Sequence, residues 1–239
     1  VRPHPRVLEN PGTIHRLSDP GLAEARERWA GAFSTLPRPR LGLLVGGDSG
    51  PFVLGPRAAT RLAEQARALA GAGSVIVTTS ARTAPDASAA LARGLQGTPY
   101  HLWRWAPEGD NPYFGILAWA DALLVTGDSI AMVSEAVATG RPVRLFDLGG
   151  MRADPVPTSA PRDRSAKARA YAALMRVGPR RLSRDLALVH ERLVASGAAA
   201  WDDAALPEPG AEGAPEGVAD GYLSATVRRV KSVVEARRR

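Results

Sequence analysis

Apolar positions fall into short uninterrupted runs separated by stretches with helical spacing, and from Arg40 onward the two kinds alternate. Leu41 to Val45 is an apolar run closed by Gly46-Gly47-Asp48-Ser49-Gly50, and Pro56 to about Ala70 has helical spacing, so this segment reads as strand, glycine-rich turn, helix. Val75 to Val77 predicts a second strand ending in Thr78-Thr79-Ser80, and Pro85 to Leu95 an alanine-rich helix closed by Gly97 and Pro99. His101 to Trp105 predicts a third strand, Tyr113 to Trp119 a helix, and Asp121 to Val125 a fourth strand punctuated by Thr126-Gly127-Asp128. Ser129 to Thr139 carries Ile130, Val133 and Val137 at helical spacing, with Gly140 just past its end and Pro142 beyond. Val143 to Phe146 predicts a further strand.

Strands separated by helices of this length make parallel βαβ units, so the expected fold class is α/β, a doubly wound parallel sheet of Rossmann-like type with additional C-terminal helices. Beyond the proline-rich stretch Asp154 to Pro161, helical spacing returns at about Ser165 to Met175, strongly basic, and at Arg184 to Ala195. Glu208 to Gly217 holds three glycines, two prolines and three glutamates in ten residues, a composition too polar to pack a core. A last helix follows, with Leu223, Val227, Val230 and Val234 in one apolar stripe and the arginines off it. The expected organisation is a lead-in segment at 1–39 left from a preceding domain, a nucleotide-binding domain at 40–196, a flexible linker at 197–217 and an amphipathic helix at 218–239.

Composition narrows the classes. The chain has 239 residues, 45% of them hydrophobic, enough to bury a core. No run approaches the roughly 18 apolar residues of a membrane-spanning helix. There is no cysteine, which removes disulfides and thiolate chemistry and fits a cytoplasmic location, with peripheral contact at an inner membrane as a further expectation. Val1 to Asn10 looks like neither a signal peptide nor a start context, so the chain is expected to be part of a longer one. The net charge of +7 invites nucleic acid, yet the motif-rich residues 41–151 carry 8 basic and 9 acidic groups, while 152–192 carry +6 and 193–217 carry −5. Charge in blocks, with no recognition motif, excludes nucleic acid as the expected partner.

Chemistry concentrates at two strand-to-helix junctions. A glycine-rich turn at the carboxyl end of a parallel strand lets backbone N–H groups approach a phosphate, and Gly46, Gly47, Asp48 and Ser49 have this form without the spacing of a dinucleotide fingerprint or a Walker loop. A tight turn needing positive φ accounts for these glycines equally well. Gly127, Asp128 and Ser129 form the second junction, where Asp128 or Ser129 also serves as helix N-cap, worth about 1 kcal/mol. Ser134 and Glu135 follow a turn later, early enough for the carboxylate to meet a ribose, or to be a plain surface glutamate. Ser80 and Arg82 follow the second strand on the same rim, the arginine suited to a phosphate or to solvent. Trp103 or Trp105 suits a base-stacking wall or core, and a lone His15 suits structure more than catalysis. No paired acidic motif implies a metal, and no catalytic residue is assigned.

Asn111-Pro112-Tyr113, Ala120-Asp121, the run VTGDSIAMVSEAVATGRPV from Val125 to Val143, and GGDSGPF from Gly46 to Phe52 resemble the mitochondrial-fission Elm family. Its bacterial members are similar to glycosyltransferases of the GT-B fold, and Ser134 to Pro142 separately resembles the donor-site helix of such enzymes, among them the transferase that adds N-acetylglucosamine in peptidoglycan synthesis. The resemblance implies the C-terminal, nucleotide-binding half of a GT-B fold. It puts Glu135 on ribose, Ser129 and Met132 against the nucleotide, and Gly46, Gly47 and Ser49 near the diphosphate. It further implies a nucleotide sugar as substrate, expected to be UDP-linked, with no cofactor, and an acceptor of unknown kind that a membrane role would make lipid-linked. The catalytic base would lie in the acceptor-side domain. A non-catalytic membrane-surface adaptor, as the family's fission role implies, and a nucleotide-sugar epimerase remain the alternatives.

Overall fold

Proline and glycine set the register of the first βαβ unit. In the computed structural model, which describes residues 10, 12–149, 151, 166, 186–201, 226–232 and 235, strand β1 covers Arg40–Leu44 and is buried along its length. Helix α3, Pro56–Ala70, has Pro56 in its first turn, where the missing N–H costs nothing, and ends at Gly71 with a φ of +55°. Ala58, Ala59, Leu62, Ala63, Ala66 and Ala70 form its buried face, the three-and-four spacing of an amphipathic helix. The sequence then alternates as expected: β2 (Ser74–Thr78), α4 (Pro85–Gly94), β3 (Tyr100–Trp103), α5 (Tyr113–Trp119), β4 (Ala122–Thr126), α6 (Ile130–Ala138) and β5 (Val143–Phe146).

The sheet has six strands in the order β3-β2-β1-β4-β5-β6, all pairs parallel, β6 being Ala200–Trp201. This is the doubly wound, Rossmann-like α/β arrangement. Parallel strands covered on both faces read as continuous apolar runs, which is why β1, β2 and β4 were legible. Side chains alternate between two cores: Leu41, Leu43 and Val45 join α3 and α4 on one face, while Leu44, Ile76, Leu123 and Val125 join α5 and α6 on the other.

Two boundaries differ from expectation. The lead-in segment expected at 1–39 carries helices α1 (Asp19–Arg28) and α2 (Ala30–Phe33), which belong to this domain's core. Ser18 caps α1 by accepting from Gly21 N at 3.3 Å, and Phe33 is fully buried, stacked on Trp29 at 5.7 Å and edge-on to His101 at 5.3 Å. Trp119 holds this layer from the other side, donating to Arg26 O at 2.8 Å beneath the Arg26 and Arg40 guanidiniums. α1 was missed because its alternating charges and alanines give almost no apolar periodicity.

The domain also continues past residue 196. Helix α7, Leu186–Ala195, ends at Gly197, whose φ of +75° turns the chain into β6 beside β5. Two residues of strand are too short to show a period. The helix expected over 165–175 and the composition-based linker at 208–217 lie outside the described residues, apart from residue 166, which is helical. Residues 226–232 are helical as expected, but the face that packs belongs to Thr226, which donates to Asn10 Oδ1 at 2.8 Å. Val227 and Val230 of the expected stripe are exposed.

Candidate functional site

In a doubly wound sheet the ligand crevice opens beyond the strand carboxyl ends, between the two neighbouring strands whose connections run in opposite directions. Here those strands are β1 and β4, so the loops at 46–50 and 127–129 face each other, with the loop after β2 alongside. Both sequence-expected junctions therefore fall where the order of the described strands opens a crevice.

The β1 loop is held from several sides. Gly46 N donates to Thr126 Oγ1 at 2.8 Å, and Gly47 N donates to Asp128 Oδ2 at 3.1 Å. The Gly46 carbonyl accepts from Ser80 Oγ at 2.9 Å and from Thr83 Oγ1. Arg82 crosses the crevice mouth: Nη2 donates to Asp128 Oδ2 at 2.8 Å and Nη1 to the Asp48 carbonyl at 2.9 Å. Asp48 itself is exposed and caps the returning chain by accepting from Leu54 N at 3.0 Å, while Ser49 pairs through its backbone with Phe52. Of the loop's glycines only Gly50 has positive φ. Gly46 and Gly47 answer a different need: a Cβ on Gly46 would fall on the Asp128 carboxylate, and one on Gly47 on the Arg82 backbone.

The β4 loop leads into α6. Ser129 is its N-cap, accepting from Met132 N at 3.4 Å, and Met132 is half-buried against the core. Ser134 is buried and accepts from Thr13 N at 3.0 Å, tying the start of the described chain to α6. Glu135, half-buried six residues past the cap, accepts from Tyr113 Oη at 2.5 Å. Burial, then the Glu135 charge, hold the Tyr113 phenol far above its ordinary range, so the tyrosine is the donor.

The expected residues thus form two groups on one rim: Gly46, Gly47, Ser80, Arg82 and Asp128 in one network, Ser129, Met132, Ser134 and Glu135 along α6. Trp103 is half-buried in β3 and Trp105 is 45% exposed, its N donating to Thr79 Oγ1 at 2.9 Å. His15 is half-buried in the segment before α1. Among the described residues no group of three or more His, Cys, Asp or Glu is placed to hold a metal, and no helix is long and apolar enough to cross a membrane.

Sequence reasoning missed His190. It comes from α7, has no exposed surface, and lies under Gly127, where a Cβ would come within 3.2 Å of its Cε1. Its ring stands edge-on to Trp201 at 5.4 Å, and neither nitrogen has a partner in ordinary hydrogen-bond geometry among the described residues. Burial lowers its pKa, against opposing contributions from the Gly127 backbone, Asp147 and Asp128. A lone histidine between Val189 and Glu191 gave no signal; only α7's return beneath β4 brings it here.

Against solved structures, the chain resembles the Escherichia coli ADP-heptose lps heptosyltransferase II with a TM-score of 0.40 and 16% identity, covering 81% of this chain and 56% of that one. The mitochondrial fission protein ELM1 of Arabidopsis thaliana is 33% identical over 142 residues, which are 59% of this chain and 33% of the plant protein, so the chain spans about a third of that relative's length. The family described as Mitochondrial fission ELM1 matches residues 1–175, and the chain belongs to it.

Proposed function

We propose that the crevice between β1 and β4 binds the nucleoside diphosphate of a nucleotide sugar, as the donor half of a GT-B glycosyltransferase. The observation that carries this reading is the Glu135–Tyr113 pair in the second turn of α6. Tyr113 takes up Oε2 of Glu135 and fixes the carboxylate, whose Oε1 is left to accept from a ribose hydroxyl. The first turn of α6, capped by Ser129, presents backbone N–H groups and partial positive charge towards a diphosphate, and the same charge would stabilise the departing nucleotide during transfer. Donor transfer needs an acceptor and a base, which this reading assigns to a companion domain, with a lipid-linked acceptor as the kind a membrane role would call for. The test is calorimetric titration of UDP, GDP, ADP and dTDP. One of them, UDP by expectation, should bind, about tenfold or more weakly to Glu135→Ala and to a smaller degree more weakly to Tyr113→Phe, as for loss of a charge-assisted hydrogen bond. Equal binding by wild type and Glu135→Ala would refute the ribose assignment.

A membrane-surface adaptor is favoured by a separate observation: Val227 and Val230 are 51% and 56% exposed beside exposed Arg228, Arg229 and Lys231. It requires the chain to sediment with anionic vesicles and Val227→Asp to abolish this; vesicle-independent behaviour of the wild type would dismiss it.

A further inference from the structure

What fills the space between the three loops over Gly46 and Gly47 is a carboxylate of the chain itself. Asp128 is buried, its side chain without exposed surface, and its Oδ2 gathers both the Gly47 N–H at 3.1 Å and Arg82 Nη2 at 2.8 Å. Its Oδ1 is equally buried and has no hydrogen-bond partner among the described residues. Gly46 is shaped to this occupant, since any side chain there would overlap the carboxylate, while Gly47 lets the Arg82 backbone close against the loop. Backbone N–H, guanidinium and a cradle with no Cβ are the parts from which proteins build sites for phosphate.

We propose that Gly47 N–H and Arg82 form an anion site for the donor's diphosphate which the chain keeps occupied with Asp128, so that ligand binding exchanges one anion for another. The natural ligand's identity rests on the donor-site reading; the anion site itself does not. The internal occupant suits exchange. A buried carboxylate oxygen without a donor is poorly satisfied, and a diphosphate, with more acceptor oxygens and more charge, uses both donors while reaching the first turn of α6. Arg82 is the hinge of the exchange, because its side chain is 42% exposed while that of Asp128 is not exposed at all. Ser80 and Thr83, which hold the Gly46 carbonyl, keep the loop in place when Asp128 leaves.

Removing the internal competitor should therefore create binding. Inorganic pyrophosphate titrated into the full chain should bind Asp128→Asn at least tenfold more tightly than wild type, and adding Arg82→Gln should abolish the gain. Unchanged or weaker binding by a folded Asp128→Asn, with a melting temperature near that of the wild type, would overturn the proposal, since a merely structural aspartate gives that result. Should the variant not fold, amide resonances of the wild type decide: with millimolar pyrophosphate the Gly47 resonance should move, and its constancy would overturn the proposal. A pyrophosphate gain in a chain that binds no nucleoside diphosphate supports the anion site and removes the donor reading. Nucleotide binding that Asp128→Asn leaves unchanged does the reverse.

Discussion

Beneath the turn that carries Asp128, His190 is enclosed without exposed surface against Gly127 and Trp201. Because its folded pKa is lowered, chiefly by burial, it is neutral in the fold, while the unfolded chain takes up a proton near pH 6.5. The unfolded state then binds the extra proton, so the stability His190 contributes is complete above about pH 6.5 and falls as pH drops below it, by at most about 1.4 kcal/mol per pH unit. Melting temperatures between about pH 8 and pH 5 should show this: His190→Gln should melt lower than wild type at pH 8 yet lose less on acidification. Parallel loss in both would assign the acid sensitivity elsewhere. Arg82 and Asp128 form the ion pair above His190. Each was visible in the sequence as a rim residue, but their 46-residue separation hid that they pair with each other before they meet any ligand.

At the scale of elements, the close approach of α5 to the sheet depends on Gly42 in the middle of β1. A Cβ there would lie 2.6 Å from Leu123 Cδ2, 2.9 Å from Ala120 Cβ and 3.1 Å from Ile116 Cγ2. Gly42→Val should overpack this contact and cost about 1–3 kcal/mol or more, read as a fall in the denaturant midpoint at unchanged slope. α5 also delivers Tyr113 to Glu135, so the same variant should weaken nucleotide binding if α5 shifts. Elements with a strong period or clear stops, such as α3 between Pro56 and Gly71 and α6 between Ser129 and Gly140, were legible nearly to the residue. α1 and β6 were not: one is stabilised by Trp119 and α5 across the fold, the other is a two-residue addition that only a finished sheet edge can recruit. The candidate site divides the same way, since strand-end glycines and the α6 glutamate have local signatures, whereas the hydroxyls of Thr126 and Thr83 acquire roles only through tertiary contacts.

For the whole molecule, the strand order β3-β2-β1-β4-β5-β6 turns scattered motifs into one rim, because it makes neighbours of β1 and β4 and aligns their loops. The net charge of +7 does not concentrate there: Arg82, the cation at the centre of the rim, is matched by Asp128. Membership of the ELM1 family accounts for the motifs, and the chain spans about a third of the length of its plant relative. The most direct test of the account is to titrate the four nucleoside diphosphates while recording backbone amide resonances. The account predicts that one nucleotide moves the resonances of Gly47, Arg82 and Ser129 through Glu135 together, leaving residues 226–232 unchanged. Shifts confined to other surfaces, or none with any of the four, would contradict it.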